Sequence, residues 1–471
     1  MKKYKVLIKR CEKYDAEKIN EIIRDGMKEF NLEPAGKIFI KPNVVFADYD
    51  EKIFPGNAYT NKEFLKGLLL ALKMRPVVEK ISIGENCGIG IPNRLFYHWS
   101  GYYKLIKDLK ADEFSPLDPE LCEEGDFPPK LEIYSLEEDR FGEKFVGGEV
   151  HSYVRLSKKI LNADFKIAVP KLKKHSSVGF TCCVKLNIGV VDDAERSIRH
   201  DYAIDEKICD LHQASPYNFY AVDAIDAGIG IETSPDVRNL GVIIMGTNGV
   251  AIDMAAATLY GIDWRETYLK SAVERGLGPK SLNEIEIAGD YEGMAGINEL
   301  KEKLKPYDEK FYRWHESEEN LKRLNSLISY HYGPTQTFPE IWCKAGCVMG
   351  FEISCSFLER YDAEAFKNAP LAIIIGKHEE IDCGGKVALL LGKCTEVKCL
   401  KNAKKVVKIK RCFTTVLDML PYLIWYGGFK NPMLRPRFLA GVIRAVVETV
   451  LKKIMTGRYL QEIYYFLKYK A

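Results

Sequence analysis

A strand-length apolar run, Phe165–Val169, stops at Pro170 and passes directly into Lys171, Lys173, Lys174 and His175. Its length and β-branched content read as a buried strand, and proline ends the pairing. A strand that delivers three cations and an imidazole within five residues is not built for a core. In open α/β sheets, ligands sit in the crevice beyond the carboxyl ends of the strands. The stretch therefore predicts an anion-binding, proton-transferring site. The plainer alternative is a solvated basic loop.

The surrounding pattern supplies the sheet. Lys5–Arg10, Lys37–Ile40 and Val78–Ile83 read as strands, the stretch 15–30 as an amphipathic helix and 60–72 as a helix with Asn61 a candidate cap. Phe219–Asp226 and Leu240–Met245 are further strands, and Val250–Tyr260 is a small-residue helix with Asp253 in its first turn. Strands alternating with helices predict an α/β fold: a mostly parallel sheet with helices on both faces. Residues 110–150, polar and rich in Pro, Gly and Glu, read as an insertion or a hairpin-bearing loop. The chain divides into an α/β domain over 1–298, a charged helical connector over 299–332, a smaller cysteine-bearing α/β module over 333–413 and a helical tail over 414–471. The two prolines within Gly333–Pro339 mark the clearest boundary.

Four strand exits carry polar side chains: Lys41 and Asn43; Glu85 and Asn86; Lys171, Lys173 and His175; Asp223 and Asp226. If the strands are parallel, all four meet on one edge. Lys41, Asn43, Glu85, Lys171, Lys185 and Asn187 are the candidate substrate-binding residues. His175 and His200, with Lys173, are candidates for acid–base work on a carboxylate or carbonyl, and Asp223 would orient one of the histidines. The two histidines could equally be ligands of a metal. The glycine-rich loop after Ile83 lacks the dinucleotide-binding spacing.

At 471 residues the chain exceeds one compact core, and its formal charge of +3 gives no argument for nucleic acid. The N-terminus reads as a first strand rather than a leader, so thirteen cysteines are expected as reduced cytoplasmic thiols, some of them binding metal.

Those same strand exits resemble the prokaryotic family DUF362, often linked with iron–sulfur segments. The resemblance rests on Lys41-Pro42-Asn43, Thr60-Asn61, Ile83-Gly84-Glu85 and Val169-Pro170-Lys171-Leu172-Lys173-Lys174-His175. It continues through Thr181, Lys185-Leu186-Asn187, His200, Val222-Asp223-Ala224-Ile225, Glu232, Ala251-Ile252-Asp253 and Gly276-Leu277-Gly278. It covers about residues 5–290. The family looks distantly similar to lactate-racemase-like nickel-dependent proteins, whose chemistry moves protons and hydrides at a hydroxy acid; this is analogy at the level of fold. Lys174, where threonine is usual, and Cys182-Cys183, where small apolar residues are usual, depart from the pattern.

Thiolates favour zinc or iron–sulfur clusters, and the contiguous ferredoxin run is absent here. The region after 343 resembles the C-terminal part of some DUF362-like proteins, which implies Cys343, Cys347, Cys394 and Cys412 as ligands of a [4Fe–4S] cluster, with zinc as the alternative. Cys355, Cys383 and Cys399 are substitute ligands. From residue 414 onward nine Lys or Arg face three Asp or Glu. The charges in Phe438–Met455 rule it out as a transmembrane span. The tail packs on the cysteine module, docks a redox partner protein or lies on a membrane surface. The chain thus reads as an iron–sulfur-associated oxidoreductase or isomerase acting on a small anionic substrate, or as a non-catalytic electron-transfer protein.

Overall fold

The structure, a computed structural model, describes residues 3–50, 52–53, 58–73, 77–88, 90, 92–112, 130–200, 202–304, 328–333, 346–362, 364, 366, 369–412 and 414–470. Cys343 and residues 334–339 lie outside them.

The first elements are β1 (Tyr4–Arg10), α1 (Ala16–Glu29), β2 (Gly36–Pro42), α2 (Lys62–Lys73), β3 (Val78–Glu85), α3 (Asn93–Trp99), α4 (Tyr102–Asp112) and β4 (Lys130–Ser135). A hairpin, β5 (Phe141–Phe145) and β6 (Tyr153–Ser157), leads through α5 (Lys158–Leu161) into β7 (Phe165–Val169), β8 (Lys171–His175) and β9 (Gly179–Thr181). Then follow α6 (Asp193–Ser197), α7 (Ile204–Ala214), β10 (Phe219–Ile229), β11 (Asp236–Gly246), α8 (Gly249–Leu259), α9 (Leu269–Glu274), β12 (Ile285–Gly289) and α10 (Gly293–Leu304).

The large sheet runs β12-β1-β11-β10-β7-β2-β3-β4, with β8 on β10 and β9 on β8. From β10 to β4 every neighbour is parallel. β11 is antiparallel to both β10 and β1, a direction that its apolar pattern alone does not carry. Side chains alternate between two cores, because a strand buried on both faces places successive residues on opposite sides. Val6, Phe39 and Val222 enter one core with α7 and α8; Leu7, Ile40 and Ala221 enter the other with α1 and α2. Helices therefore cover both faces. The Asp15 carboxylate caps α1, accepting the N–H groups of Glu17 and Lys18 at 3.0 and 3.1 Å.

The small sheet, β13 (Ser329–Tyr332), β14 (Leu371–Asp382), β15 (Val387–Lys401) and β16 (Lys405–Ile409), is parallel throughout. The segment read as a helical connector, 299–332, thus ends in a strand: Ser329–Tyr332 pairs with Ala372–Ile375, an edge no local periodicity announces. Helix α11 (Cys347–Tyr361) and helix α12 (Val416–Gly427) cover this sheet, sharing a core through Val348, Phe351, Met419 and Leu423. The Thr415–Asp418 capping box starts α12.

The last helices, α13 (Pro436–Thr456) and α14 (Arg458–Lys470), turn back onto the large sheet's side of the molecule. Phe438 packs on Trp99 with ring centroids 5.2 Å apart, and Gln461 exchanges hydrogen bonds of 2.9 and 2.7 Å with the backbone of Phe141. Among the described residues no helix is long and apolar enough to cross a membrane.

Candidate active site

Pro170 does not release the chain into a solvated loop. It hands the chain from β7 to β8, which lies along the second half of β10, with Lys171 opposite Asp223 and Lys173 opposite Gly228. All five residues of β8 are buried. Three lysines away from water need partners, since an unpaired buried charge is prohibitively costly. Lys171 Nζ donates to Asp223 Oδ1 at 3.1 Å and to the Tyr14 hydroxyl at 2.7 Å. The other Asp223 oxygen accepts the Asn61 N–H at 2.9 Å. Lys173 Nζ donates to the carbonyls of Ala58 and Glu232 at 2.5 and 3.0 Å.

His175 ends the strand. Its Nδ1 accepts the Ser177 N–H at 3.2 Å, which leaves the proton of the neutral ring on Nε2, 3.6 Å from Glu232 Oε1. Glu232 Oε2 accepts the N–H and the hydroxyl of Ser176, both at 3.2 Å. Lys41, ending β2, forms an ion pair with Glu85, ending β3, and both side chains are buried.

These strand ends open on a cavity of about 180 Å³. Asn43, Glu85, His175, Thr181, Lys185, Arg196, His200 and Glu232 form its polar end. The rest of its lining is mostly apolar, with Asn86, Thr233, Ser234 and Thr415 among it; the apolar side chains come from two sources, Phe46, Phe96 and Ile188 on the large-sheet side and Met349, Ile353, Phe357, Leu417 and Met433 from the C-terminal half. Phe46 meets Phe357 edge-on at 5.8 Å, and Arg435 pairs with buried Asp48 at 2.6 Å, so the two halves close over the strand ends.

The electrostatics follow from burial. Burial pushes Lys185 down to about 8, with Arg196 pushing the same way and Glu232 opposing. Among the described residues, no hydrogen bond or ion pair reaches its ammonium. Burial holds both His175 and His200 well below the usual imidazole value, assisted by Lys185, and a charge on His200 disfavours one on His175. Lys207 Nζ lies 3.2 Å from His200 Nδ1; a lysine can only donate, so Nε2 carries the ring proton. Among the described residues, Asn43 Oδ1 and Thr181 Oγ1 are buried without a hydrogen-bonding partner.

Of the residues anticipated from the sequence, Asn43, Glu85, His175, Lys185 and His200 line the cavity, and Lys41 stands behind Glu85. Lys171, Lys173 and Asp223 are spent on one another's surroundings. Asp223 orients neither histidine; its carboxylate is committed to Lys171, Tyr14 and Asn61. Asn187 turns into the core, where its Nδ2 lies 3.1 Å from His212 Nδ1. Asp253 lies beyond the first turn of α8 and accepts the N–H groups of Cys183 and Val184 at 2.7 and 2.9 Å. Cys182, Cys183 and Asp253 bring potential ligand atoms within 4.8 Å, but backbone N–H groups and the Tyr268 hydroxyl already occupy the carboxylate. Glu232 and Arg196 were not singled out as site residues. Glu232 reaches His175 across 57 residues because the chain turns at Gly230, whose φ is +81°.

In the C-terminal half, Cys347 opens α11, and its sulfur accepts the Thr414 N–H at 3.3 Å. Cys347, Cys394 and Cys412 are close enough for a charge on one to oppose a charge on the next. Gly392, with φ +96°, lies against the Cys347 sulfur, where a Cβ would sit 2.9 Å away. Cys355 and Cys383 are buried in separate cores, and Cys399 is exposed.

Residues 38–258 match the family model described as "Domain of unknown function (DUF362)". Two similar solved structures are the lactate racemase apoprotein from Thermoanaerobacterium thermosaccharolyticum and a structural-genomics protein from Thermotoga maritima. The first is 11% identical at a TM-score of 0.30, covering 54% of this chain and 57% of that one. The second is 12% identical at a TM-score of 0.27, covering 58% and 60%. The chain spans less than two thirds of the length of either. No curated protein matches it.

Proposed function

With residues 38–258 a DUF362 domain, we propose that the chain is an enzyme that moves a proton at the carbon next to a carboxylate or carbonyl, on a substrate whose remainder is apolar. One observation carries this reading: Lys185 is a buried lysine whose ammonium has no hydrogen bond or ion pair among the described residues, and it lines the cavity together with two neutral histidines. Desolvating a lysine and leaving it unpaired is costly, and an anionic substrate group removes that cost on binding.

In this reading Lys185 holds the carboxylate, with Asn43 and Thr181 supplying polar contacts. Glu232 takes the proton from carbon, and the charge left behind spreads onto the neighbouring carbonyl or carboxylate oxygen. His200 stabilises that oxygen through its Nε2–H. His175, braced by Ser177 at Nδ1, turns its Nε2–H toward Glu232 and holds that carboxylate in place, and Glu232 returns the proton to the carbon. Phe46, Ile353 and Phe357 exclude water and receive the apolar part.

The test is a thermal-shift series of 2-hydroxy and 2-oxo carboxylates of rising alkyl length, followed by proton–deuterium exchange read by NMR. The reading predicts a shift that grows with chain length and is lost in Lys185→Met. A series in which Lys185→Met responds as the wild type does would sink it.

A second reading is favoured by the approach of Cys347, Cys394 and Cys412. With Cys343 they would hold a four-thiolate centre, a [4Fe–4S] cluster or zinc; a cluster would supply or accept single electrons when bound. That centre would let the protein serve a redox partner with or without the proton chemistry.

A further inference from the structure

We propose that the C-terminal helices α13 and α14 form a docking surface for an anionic lipid bilayer. The inference is independent of the substrate reading above. It rests on a helix pair whose inner face is already satisfied while its outer face is apolar.

The inner face of α13 needs no further partner. Phe438 and Ala445 are buried, Thr449 is nearly so, and Gly441 approaches Leu95 and Trp99 so closely that a Cβ would crowd both. Both ends of the helix are pinned to the large-sheet half: Arg435 to Asp48 at 2.6 Å and Arg458 to Asp192 at 2.8 Å. The outer face is therefore presented on a fixed element, not on a loose tail.

That outer face carries Ile443, Val447, Leu451 and Ile454 at 64, 52, 55 and 62% exposure. Spacings of four, four and three residues put them on one side of the helix. On α14, Leu460 and Leu467 are exposed as well, at 74 and 63%. From Ile443 to Ile454 the stripe runs about 17 Å along α13 at 1.5 Å per residue, a contiguous row rather than scattered single apolar residues.

Charge selects the occupant. Every exposed charged residue among the described side chains of these helices is a cation, Arg437, Arg444 and Lys452, of which Arg444 also pairs with the half-buried Glu448. The acids Glu448 and Glu462 are drawn inward, to His98 and Arg444 and to Arg458 and Lys453. A second copy of the chain on a two-fold axis would bring two cation-bearing faces of like sign together. A bilayer with anionic headgroups accepts the apolar stripe at the acyl boundary and pairs with the cations above it.

The experiment is sedimentation of the full chain with phosphatidylcholine vesicles, with and without about a third phosphatidylglycerol. Expected are binding to the anionic vesicles, at least about tenfold weaker binding to phosphatidylcholine alone, and weakening as ionic strength rises from about 0.1 to about 1 M. The triple variant Ile443→Glu, Val447→Glu, Ile454→Glu should lose binding with an unchanged melting temperature. Should that variant unfold, Arg437→Glu with Lys452→Glu, which alters exposed charge alone, should weaken binding in its place. Absence of sedimentation with anionic vesicles, or binding that the charge reversal leaves unchanged, overturns the proposal. So does a stable dimer by light scattering that the triple variant disperses.

Discussion

Lys41 and Glu85 end adjacent parallel strands and form an ion pair that water does not reach, with Gly189 closed over it. The pair ties β2 to β3 where both deliver residues to the cavity. Removing one member leaves the other charge buried, which costs about 3–5 kcal/mol. Glu85→Ala is therefore expected to lower unfolding stability by that amount in urea. Lys41→Met combined with Glu85→Leu should cost clearly less than the sum of the single changes, since no lone charge remains. Additive losses would show that the pair is not coupled. Gly189→Ala should destabilise by about 1–3 kcal/mol, because a methyl group there overlaps both charged groups.

Lys185 sets a pH dependence. Its folded-state value near 8 lies below the ordinary 10.5, so the unfolded chain binds more protons between those limits. The folded state is penalised wherever the lysine is protonated, by about 3 kcal/mol at neutral pH. The penalty fades as pH rises from about 8 to 10.5. Lys185→Met should consequently be more stable than the wild type at pH 7, and the gain should shrink by pH 10. Carboxylate binding requires the protonated form and should fall above about pH 8 in the wild type only. Both histidines are neutral well below pH 6.5, so the acid limb of activity lies lower than an ordinary imidazole would place it. Urea titrations and kcat/KM profiles at matched pH check both limbs.

Asp223 and Glu232 separate structural from chemical carboxylates. Asp223 neutralises buried Lys171 and touches nothing in the cavity, whereas Glu232 faces His175. Asp223→Asn should lower stability by about 3–5 kcal/mol and leave the pH profile of activity in place. Glu232→Gln should keep the fold and cut turnover by about 10²–10⁴-fold. If Asp223→Asn moved the pH profile while Glu232→Gln did not, the roles would be reversed.

The periodicities that announced β2, β3 and β7 also placed their ends correctly, because a parallel sheet brings its carboxyl ends together; β10 runs on to Ile229, so Asp223 and Asp226 lie within that strand and not at its exit. Charge at those exits was legible as well, but not its use. Lys171 and Lys173 resemble Lys185 in sequence, yet they are consumed by Asp223 and by carbonyl oxygens, and pairing over 52 or 59 residues leaves no local mark. Glu232 stood in the family resemblance, but nothing local in the sequence placed it against His175, 57 residues away. The apolar wall from Ile353 and Phe357 could not be read at all, since each reads locally as ordinary helix core. The docking of one half on the other is a property of surfaces, not of periodicity.

The cysteines give the last prediction. Cys347, Cys394 and Cys412 come from the start of α11, the middle of β15 and the segment before α12, so a metal held among them would clamp three elements of the C-terminal half. Metal bound to the folded state but not to the unfolded one adds directly to stability. Anaerobically purified protein should contain either iron with acid-labile sulfide or zinc, and a chelator that removes it should lower the melting temperature. Cys347→Ser and Cys394→Ser should each lose the metal. Cys399→Ser should retain it, because that thiol lies exposed farther along β15. Equal metal content in wild type and Cys347→Ser would remove the centre from these residues.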